Sequence, residues 1–418
     1  AEEVAPRMTP GSKPRFAVPI LFAVVFIDLV GFGILAPLTP FYAERLGARP
    51  ELITLIIAAH PLAQSLCMPL WGSLSDRRGR RPVLLASMFG HGAAYLLLGM
   101  ADSLWLLLLA RFLSGATSAN LSTAYAYVSD ITTPEERAGA MGRVSSAFGL
   151  GFAIGPAFGG LLAGGTTMAD ANLVRPAVAA ALFSFAAFVA IFVFLPETRH
   201  LGAPSQPRPA GSTMLGEITR IARRPLISRM LLMATVVLVF MSVRESIFPL
   251  WANHEHHLNA RTLGGMLAWT GALIALVQFF GIGWLAQKYG ELNLVKGAIL
   301  CLMTGWLGLT VAWNIPTLLL AMTIGSFGTA FFQTSMQSLL SKRAGPTERG
   351  AVLGVYQSSS AMSRFVGQAG AGTLYGQLGA HAPFLLGSMA MIPAFAVAMQ
   401  VGRRMREAPL PGEAGRRD

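Results

Sequence analysis

The sequence predicts an all-α membrane protein with twelve transmembrane helices, arranged in two six-helix bundles that are related by a parallel pseudo-repeat. Three observations predict this class. Apolar residues make up 53% of the 418 residues, long apolar runs recur along the chain, and similar short motifs recur in its two halves. A soluble domain does not bury this much apolar surface in one core, so we expect a lipid bilayer to be the solvent.

The twelve apolar runs are each long enough to cross about 30 Å of hydrocarbon. They lie near residues 17–42, 52–74, 82–101, 103–128, 138–164, 176–195, 226–251, 262–286, 292–313, 315–341, 349–376 and 382–402. Glycine and proline inside several runs are compatible with transmembrane helices, because neighbouring helices can re-satisfy the freed backbone groups. The runs therefore predict twelve spans.

A polar stretch rich in proline, glycine and arginine separates the first six runs from the last six. It occupies residues 196–225 and is typical of a linker. We therefore expect an N-terminal six-helix bundle over residues 1–195, a cytoplasmic linker over 196–225, and a C-terminal bundle with a cytoplasmic tail over 226–418.

The net charge of +12 is distributed in the way that membrane topology requires. Most Lys and Arg residues fall in segments that share one side if both termini are cytoplasmic. The exceptions are Arg45, Arg49, Arg175 and Arg261 in the opposite loops, and Arg111, Arg244 and Arg364 inside runs. The basic excess therefore predicts orientation rather than nucleic-acid binding. Cys67 and Cys301 lie inside runs without metal-ligand spacing, so we expect apolar filler and no metal site.

Two pairs of motifs indicate an internal repeat. "PEERAGAMG" precedes the fifth run and "PTERGAVLG" the eleventh, while "GSLSDRRG" ends the second run and "GWLAQKYG" the eighth. The paired positions are Arg137 with Arg349, Gly155 with Gly367, Gly72 with Gly283, and Gly79 with Gly290. An even number of spans per half makes both halves enter the bilayer from the same side. Such a parallel repeat places a binding site between the halves near the midplane.

The loop "GSLSDRRGRR" concentrates charge between two apolar runs. Its candidate gating residues are Gly72, Asp76, Arg77, Gly79 and Arg80. Gly72 allows close helix approach, Asp76 suits the positive end of a facing helix, and the arginines suit acidic neighbours or lipid phosphates. The acid and the spaced glycines favour a latch, a contact that closes the cytoplasmic side when the cavity opens outward. The alternative is a plain topology anchor that obeys the positive-inside rule.

The fifth run carries glycines at every fourth position. Gly151, Gly155 and Gly159 share one helical face, and Pro156 interrupts the backbone ladder between the last two. A stripe of small residues lets another helix pack closely.

Ionisable residues deep in the runs are functional candidates, because a charge at the centre of a span costs about 2.5–3.5 kcal/mol or more. Asp28 and Arg111 both fall near mid-depth, so we expect them to pair across adjacent helices. The pair has two interpretations, a proton-coupling site or a permanent structural ion pair. Arg244 and Glu245 are adjacent and point about 100° apart on a helix. We assign Glu245 to the cavity as a further proton-coupling candidate.

Polar side chains also recur at helical spacing inside several runs. The stripes comprise His60 and Gln64; Arg111, Ser114, Gly115, Ser118 and Ser122; Thr329, Gln333 and Gln337; and Gln357, Ser360, Arg364 and Gln368. The candidate substrate-binding residues are His60, Gln64, Ser118, Arg244, Gln333, Gln337, Gln357 and Arg364. Interhelical hydrogen bonding is the alternative explanation. The histidines of "NHEHH", His254, His256 and His257, are expected in an exposed external loop rather than a metal site.

Several of these motifs resemble signatures of the major facilitator superfamily. "GSLSDRRGRRPVL" resembles its loop signature, "ARFLSGA" its fourth-helix arginine motif, and "GLGFAIGPAFGG" the fifth-helix motif of proton-coupled antiporters. "PET" at 196–198 resembles the end of the sixth helix in drug exporters, and "DLVGFGILAPLTPF" the first helix of the tetracycline-exporter group. The resemblance covers nearly the whole chain.

The resemblance implies a proton-coupled antiporter that exports a drug or tetracycline-like compound across the bacterial inner membrane by alternating access. It implies no covalent chemistry, no cofactor beyond the coupling proton, and a monomer whose partners are a small-molecule substrate, protons and membrane lipids. It also implies that Asp76 faces the helix starting near Arg349.

One position departs from the tetracycline exporters, which carry an intramembrane acid in the third helix where this chain has Ala94. Because that acid would help to bind a metal–tetracycline complex, an exporter of an endogenous anionic metabolite or siderophore is an alternative. A proton-coupled uptake symporter is another.

Overall fold

The computed structural model of the protein describes residues 17–198 and 224–407, nearly all of them helical and none in a strand. Both expected tails and most of the expected linker 196–225 lie outside the described residues. The helices are α1 Ala17–Leu35, α2 Thr39–Arg45, α3 Pro50–Arg78, α4 Arg80–Gly99, α5 Leu104–Ala116, α6 Asn120–Ile131, α7 Pro134–Ala163, α8 Val174–Phe194, α9 Pro225–His256, α10 Ala260–Leu276, α11 Ile282–Tyr289, α12 Glu291–Val311, α13 Ile315–Arg343, α14 Gly345–Leu378 and α15 Ala382–Glu407. The predicted all-helical class is confirmed.

Eleven helical stretches among the described residues are long and apolar enough to cross a membrane. Three of them combine shorter elements: α1 with α2, α5 with α6, and α10 with α11 through a π-helical turn at Val277–Gly281. The eleventh predicted run lies in α14, where the side chains of residues 345–351 fall outside the described set. The chain is thus a multi-pass membrane protein.

Local sequence accounts for the helix junctions. Gly79 joins α3 to α4 with φ +104°, and Gly290 joins α11 to α12 with φ +79°, a region that glycine adopts without a Cβ penalty. These two glycines are partners in the predicted repeat, so both copies turn in the same way. At the start of α13, the Asn314 side chain accepts from the backbone N–H of Thr317 at 2.9 Å in a capping box.

The chain folds into two compact units. The first comprises Ala1–Gln206 with Pro249–Ala272, and the second comprises Pro207–Phe248 with Leu273–Asp418. The last turns of α9 and most of α10 therefore belong to the first unit. The division of the chain into 1–195, 196–225 and 226–418 stays a prediction.

The core of the first unit joins α1, α4, α6, α7 and α8. Its fully buried side chains include Leu21, Leu84, Tyr127, Val144 and Ile191, one from each of these helices. Inside a bilayer, these contacts stabilise the bundle through van der Waals packing rather than through removal of apolar surface from water. The packing fixes the rotation of α1 and α4 about their axes, and with it the positions of Asp28 and His91.

The glycine stripe of α7 packs against α1, as the sequence predicts. A Cβ at Gly155 would lie 2.7 Å from the Cα of Gly33, and one at Gly151 would lie 2.5 Å from the Cβ of Leu29. The two backbones approach so closely that no side chain fits between them. The antiporter role of this motif stays a prediction.

A second face of α7 packs against α10 within the first unit. A Cβ at Gly271 would lie 2.7 Å from the carbonyl oxygen of Phe152, and one at Gly264 would lie 3.1 Å from the Cα of Gly160. On the same side, the Asn259 amide donates to the carbonyl of Thr166 at 3.3 Å. Helix α7 is therefore held between α1 and α10.

The second unit repeats one of these close approaches. A Cβ at Gly367 in α14 would lie 2.9 Å from the Cβ of Ser242 in α9, as Gly155 lies against α1 in the first unit. Gly155 and Gly367 are the pair that the sequence repeat aligns. Elsewhere in this unit, Gly305 of α12 meets Gly325 of α13, where a Cβ would lie 2.8 Å from the facing Cα.

Candidate functional site

The buried ionisable residues of the first unit meet at a break in the fourth predicted span. Helix α5 ends at Ala116 and α6 begins at Asn120, whereas the sequence predicts one continuous run over 103–128. At the break, the N–H of Ser118 donates to the carbonyl of Gly115 at 3.1 Å instead of to that of Ser114. The Ser114 carbonyl thereby lacks its helical N–H donor. It accepts from the Thr117 hydroxyl at 3.3 Å and can also accept from a group on another helix. The predicted stripe from Arg111 to Ser122 consequently does not continue along one helix.

His91 lies within hydrogen-bond distance of that carbonyl through one ring nitrogen and of Asp28 through the other. Its Nε2 lies 2.8 Å from the carbonyl oxygen of Ser114, and its Nδ1 lies 2.6 Å from Oδ1 of Asp28. The side chains of His91 and Asp28 are 3% and 14% exposed, respectively. An intramembrane acid in this environment needs a partner.

The expected pairing of Asp28 with Arg111 is wrong in this structure. Among the described residues, the ion-pair partner of Asp28 is His91. The sequence offers one signal for this residue, a histidine inside the third run one helical turn before Ala94. His91 is nonetheless absent from the sequence-predicted site, because depth along a span does not reveal which faces of the helices meet.

Arg111 is buried, with 2% of its surface exposed. Its guanidinium carbon lies 6.0 Å from the centroid of the Phe32 ring, one helical turn beyond Asp28 on α1. Within the described part of the chain, its Nε has no hydrogen-bond partner. The same holds for the hydroxyl of Tyr95 and for Oδ1 of Asn120. Buried polar groups without partners are unusual and mark a place where a polar ligand gains hydrogen bonds.

Two predicted binding residues line the neighbouring face of α3. Nδ1 of His60 lies 3.0 Å from Oγ of Ser114, and the Gln64 amide donates to Oγ of Ser118 at 3.1 Å. The His60 ring lies 5.3 Å from the Phe32 ring. His60, Gln64 and Ser118 are therefore brought together beside Arg111. Their role in binding a substrate stays a prediction.

The remaining predicted binding residues belong to the second unit. Glu245, Gln333, Gln337 and Gln357 are exposed there, while Arg244 and Arg364 are partly buried. Glu245 attracts both arginines electrostatically. The adjacent Arg244 and Glu245 differ in exposure, as their angular separation on a helix requires. The substrate-binding and proton-coupling roles of these residues stay predictions.

The charged loop forms a network of hydrogen bonds around Arg80. Its guanidinium donates to Asp76 at 2.5 Å, to Asp130 of α6 at 3.0 Å and to Ser75 at 3.0 Å. The Glu197 carboxylate of "PET" accepts from the backbone N–H groups of Arg80 and Arg81 at 3.0 and 3.1 Å. A carboxylate at a helix N-terminus satisfies unpaired donors and complements the helix dipole.

The surroundings of Gly72 differ from the expectation, and the expected partner of Asp76 is not among the described side chains. Space around Gly72 is open, because no described atom lies within 4 Å of where its Cβ would be, so the expected close helix approach is absent there. Asp76 is 54% exposed. The expected contact of Asp76 with the helix start near Arg349 involves a side chain outside the described set. The gating role of Gly72, Asp76, Arg77, Gly79 and Arg80 stays a prediction.

Two of the histidines after the seventh span lie in a helix, where the sequence predicts a loop. Helix α9 continues to His256, so the expected external loop is wrong for His254 and His256. Nε2 of His254 lies 2.7 Å from Glu44, and the His256 ring meets Trp251 edge-on at 5.0 Å. Within the described residues, no group of three or more His, Cys, Asp or Glu side chains has the geometry to hold a metal ion.

The sequence is similar to characterised transporters along most of its length. It is 28% identical over 371 residues to the class G tetracycline resistance protein of Vibrio anguillarum, covering 86% of this chain and 91% of that protein. It is 26% identical over 390 residues to multidrug resistance protein 2 of Bacillus subtilis (strain 168), covering 91% and 94%.

A crystal structure of the human organic anion transporter MFSD10 (TETRAN) matches this fold with a TM-score of 0.66 and 26% identity, over 94% of this chain and 100% of that chain. The sequence pattern of the Major Facilitator Superfamily matches residues 21–309 and 245–418. The protein is a transporter and not an enzyme. The chain therefore belongs to the major facilitator superfamily, in the group that includes the tetracycline and multidrug resistance proteins.

Proposed function

We propose that the protein is a proton-coupled antiporter that exports a small organic compound across the bacterial inner membrane by alternating access. The observation that carries the proposal is the buried cluster of Asp28, His91 and Arg111. It combines a group that binds a proton with a permanent cation that binds an anion. Antiport requires that occupancy by proton and by substrate depend on each other, and neighbouring sites of opposite preference supply that dependence. Similarity to tetracycline and multidrug resistance proteins supports export.

The proposal includes the orientation that the charge distribution predicts, with both termini in the cytoplasm. It also includes a monomer with the proton as the coupling ion and no other cofactor. Membrane lipids surround the exposed apolar side chains of the spans, such as Leu70, Phe192, Phe280 and Trp284.

A second candidate substrate class is supported by Arg111. A buried guanidinium whose Nε lacks a hydrogen-bond partner among the described residues favours a carboxylate or another anionic group, which it binds through a planar fork of donors. The similar human protein is an organic anion transporter. Ala94 stands where the tetracycline exporters carry an acid, which also favours an organic anion, including an endogenous metabolite or siderophore.

Proteoliposomes with an internal pH dye test the function. Tetracycline, ethidium and fluorescein represent a zwitterionic drug, a cation and an organic anion. The proposal expects at least one of them to move against the proton flux, and the second candidate expects this compound to be fluorescein. Movement of proton and compound in the same direction would instead identify an uptake symporter. Vesicles without protein provide the background.

A further inference from the structure

Both ring nitrogens of His91 are engaged, and together they determine how many protons the site holds. Nε2 faces the carbonyl oxygen of Ser114 at 2.8 Å, and Nδ1 faces Oδ1 of Asp28 at 2.6 Å. A carbonyl oxygen only accepts hydrogen bonds, so Nε2 carries a hydrogen and donates it. The break between α5 and α6 supplies this acceptor, because the N–H of Ser118 does not donate to the Ser114 carbonyl, which accepts within its own segment from the Thr117 hydroxyl at 3.3 Å.

With Nε2 protonated, the hydrogen bond between His91 and Asp28 requires one further proton. Either a charged imidazolium donates from Nδ1 to the carboxylate, or a protonated carboxyl group donates to a neutral ring. Both forms bind the same number of protons and carry no net charge, so they titrate as one unit. When that proton leaves, a carboxylate faces a ring lone pair at 2.6 Å. Two acceptors at this separation repel, so the contact must open.

We propose that Asp28 and His91 form a single proton-binding dyad, and that loss of its proton breaks the contact and frees the Asp28 carboxylate. The proposal rests on the proton-coupled function above and adds His91 as the residue that determines when Asp28 is free. The departing proton leaves a neutral His91 ring and a negative Asp28. No other group has to be ionised in this step.

Asn120 provides a replacement partner for the neutral ring. Its Nδ2 lies 3.4 Å from Nδ1 of His91, which is long for a hydrogen bond. Its Oδ1 has no partner among the described residues. A small approach of the amide lets Nδ2 donate to the Nδ1 lone pair once the proton has left. The deprotonated ring is therefore stabilised without Asp28.

On the same face of α1, one helical turn beyond Asp28, the Phe32 ring lies under the Arg111 guanidinium, with the guanidinium carbon 6.0 Å from the ring centroid. The other titratable groups that face the dyad are Tyr95, whose ring stacks on His91 with centroids 5.7 Å apart, and His60, which is bonded to the Ser114 hydroxyl. Two α8 residues that pack against α1 and α4 here, Ala180 and Phe185, carry no titratable group. Release of Asp28 therefore acts first on Arg111.

Titration of the full-length protein in lipid nanodiscs tests the dyad without any transported compound. Histidines carry ¹⁵N, and the ring signals of His91 are assigned by their loss in His91→Asn. Infrared spectra follow the Asp28 carboxyl group, assigned by its loss in Asp28→Asn. The expected result is a single shared transition, at which the ¹⁵N signals of His91 and the infrared signal of Asp28 change together. In Asp28→Asn, we expect the proton affinity of His91 to fall by at least about tenfold.

His257→Asn is the matched control, because His257 is exposed between α9 and α10 at φ +52°, a conformation that asparagine tolerates. It should leave the shared transition unchanged. Identical titration of His91 in wild type and Asp28→Asn overturns the dyad. So does a wild-type titration in which the ¹⁵N signals of His91 and the infrared signal of Asp28 change at two separate pH values, a measurement that requires no variant to fold.

The outcome for the dyad is separable from that for the function. A shared transition with no proton-coupled transport of any tested compound supports the dyad and contradicts the antiporter. Proton-coupled transport with independent titration of the two residues supports the proposed transport function and contradicts the dyad.

Discussion

Arg111 combines near-complete burial with an Nε that has no hydrogen-bond partner in the described part of the chain. A guanidinium removed from water loses hydration, and an aromatic ring at 6.0 Å compensates only part of that loss. A substrate anion or the Asp28 carboxylate would compensate more, and the two would compete for the same donors. In the proposed function, this competition would link substrate binding to the protonation of Asp28 and His91.

Substitution of Arg111 should change how binding responds to pH. In wild type, the affinity for the transported test compound should differ between low and high pH by at least about fivefold, as a coupling of ordinary size predicts. In Arg111→Ala, the dependence should flatten, because proton and substrate no longer share the cation. Arg111→Lys keeps the charge but loses the planar fork, so it should weaken the dependence without abolishing it. If the affinity of Arg111→Ala for the test compound depends on pH as in wild type, Arg111 has only a structural role.

Asp28→Asn tests the proton site directly. Asparagine resembles the acid in size but takes up no proton, so proton movement driven by the test compound should disappear in proteoliposomes. Equilibrium binding of the same compound should persist, because Asp28 is not the residue expected to hold it. Proton coupling at the wild-type level in Asp28→Asn would remove Asp28 from the coupling mechanism.

At the scale of elements, the packing of α7 on α1 positions the buried cluster. Gly155 and Gly33 bring the two backbones together close to the residues that follow Asp28. A Cβ on this face meets backbone rather than a flexible side chain, so the helices must separate to accommodate it. The position of Asp28 relative to His91 then changes as well.

Gly155→Ala should therefore destabilise the protein by about 1–3 kcal/mol, the usual range for overpacking. Thermal unfolding in detergent, followed by circular dichroism, measures the change. Gly142→Ala lies in the same helix with no described atom within 4 Å of the added Cβ, so it serves as the matched control. It should be neutral or slightly stabilising, since alanine has the higher helix propensity. Equal melting temperatures for both variants would contradict the tight packing of this face.

At the scale of the whole molecule, the two halves share a backbone plan but differ in chemistry. Gly79 and Gly290 turn alike, and Gly155 and Gly367 pack alike on the first helix of their halves. The second half carries Gln287 at the position of Asp76. A latch built on the charged loop is therefore asymmetric, with its acid in the first half only.

Asp76→Asn should slow transport while leaving affinity for the test compound unchanged. The acid bonds Arg80 at 2.5 Å, and half of its surface remains exposed for a second partner. Removal of its charge weakens a gate but does not alter a cavity at mid-depth. Initial transport rates at equal reconstituted amounts measure the effect, with Arg78→Gln as the matched loop variant, because Arg78 is exposed and is not a candidate gating residue. Equal rates in wild type and Asp76→Asn would reduce the loop to a topology anchor.

The sequence by itself determined the helical class, most of the spans, the internal repeat and the presence of Asp28 and Arg111 inside them. Hydropathy and spacing are local properties, and a buried charge is visible wherever it interrupts an apolar run. The repeat was predictable for the same reason, because motifs such as those at Gly79 and Gly290 specify local backbone turns.

Only the tertiary structure decided the partners. His91 instead of Arg111 meets Asp28 because the rotation of α1, α4 and α5 about their axes depends on packing between segments far apart in the chain. The break at residues 117–119 was equally hidden, since the Ser114 carbonyl there accepts a hydrogen bond from Nε2 of His91, a donor on another helix that the local sequence does not reveal. The depth of a residue in the membrane can be read from its position along an apolar run. The helix that its side chain faces depends on packing between segments that are far apart in the sequence.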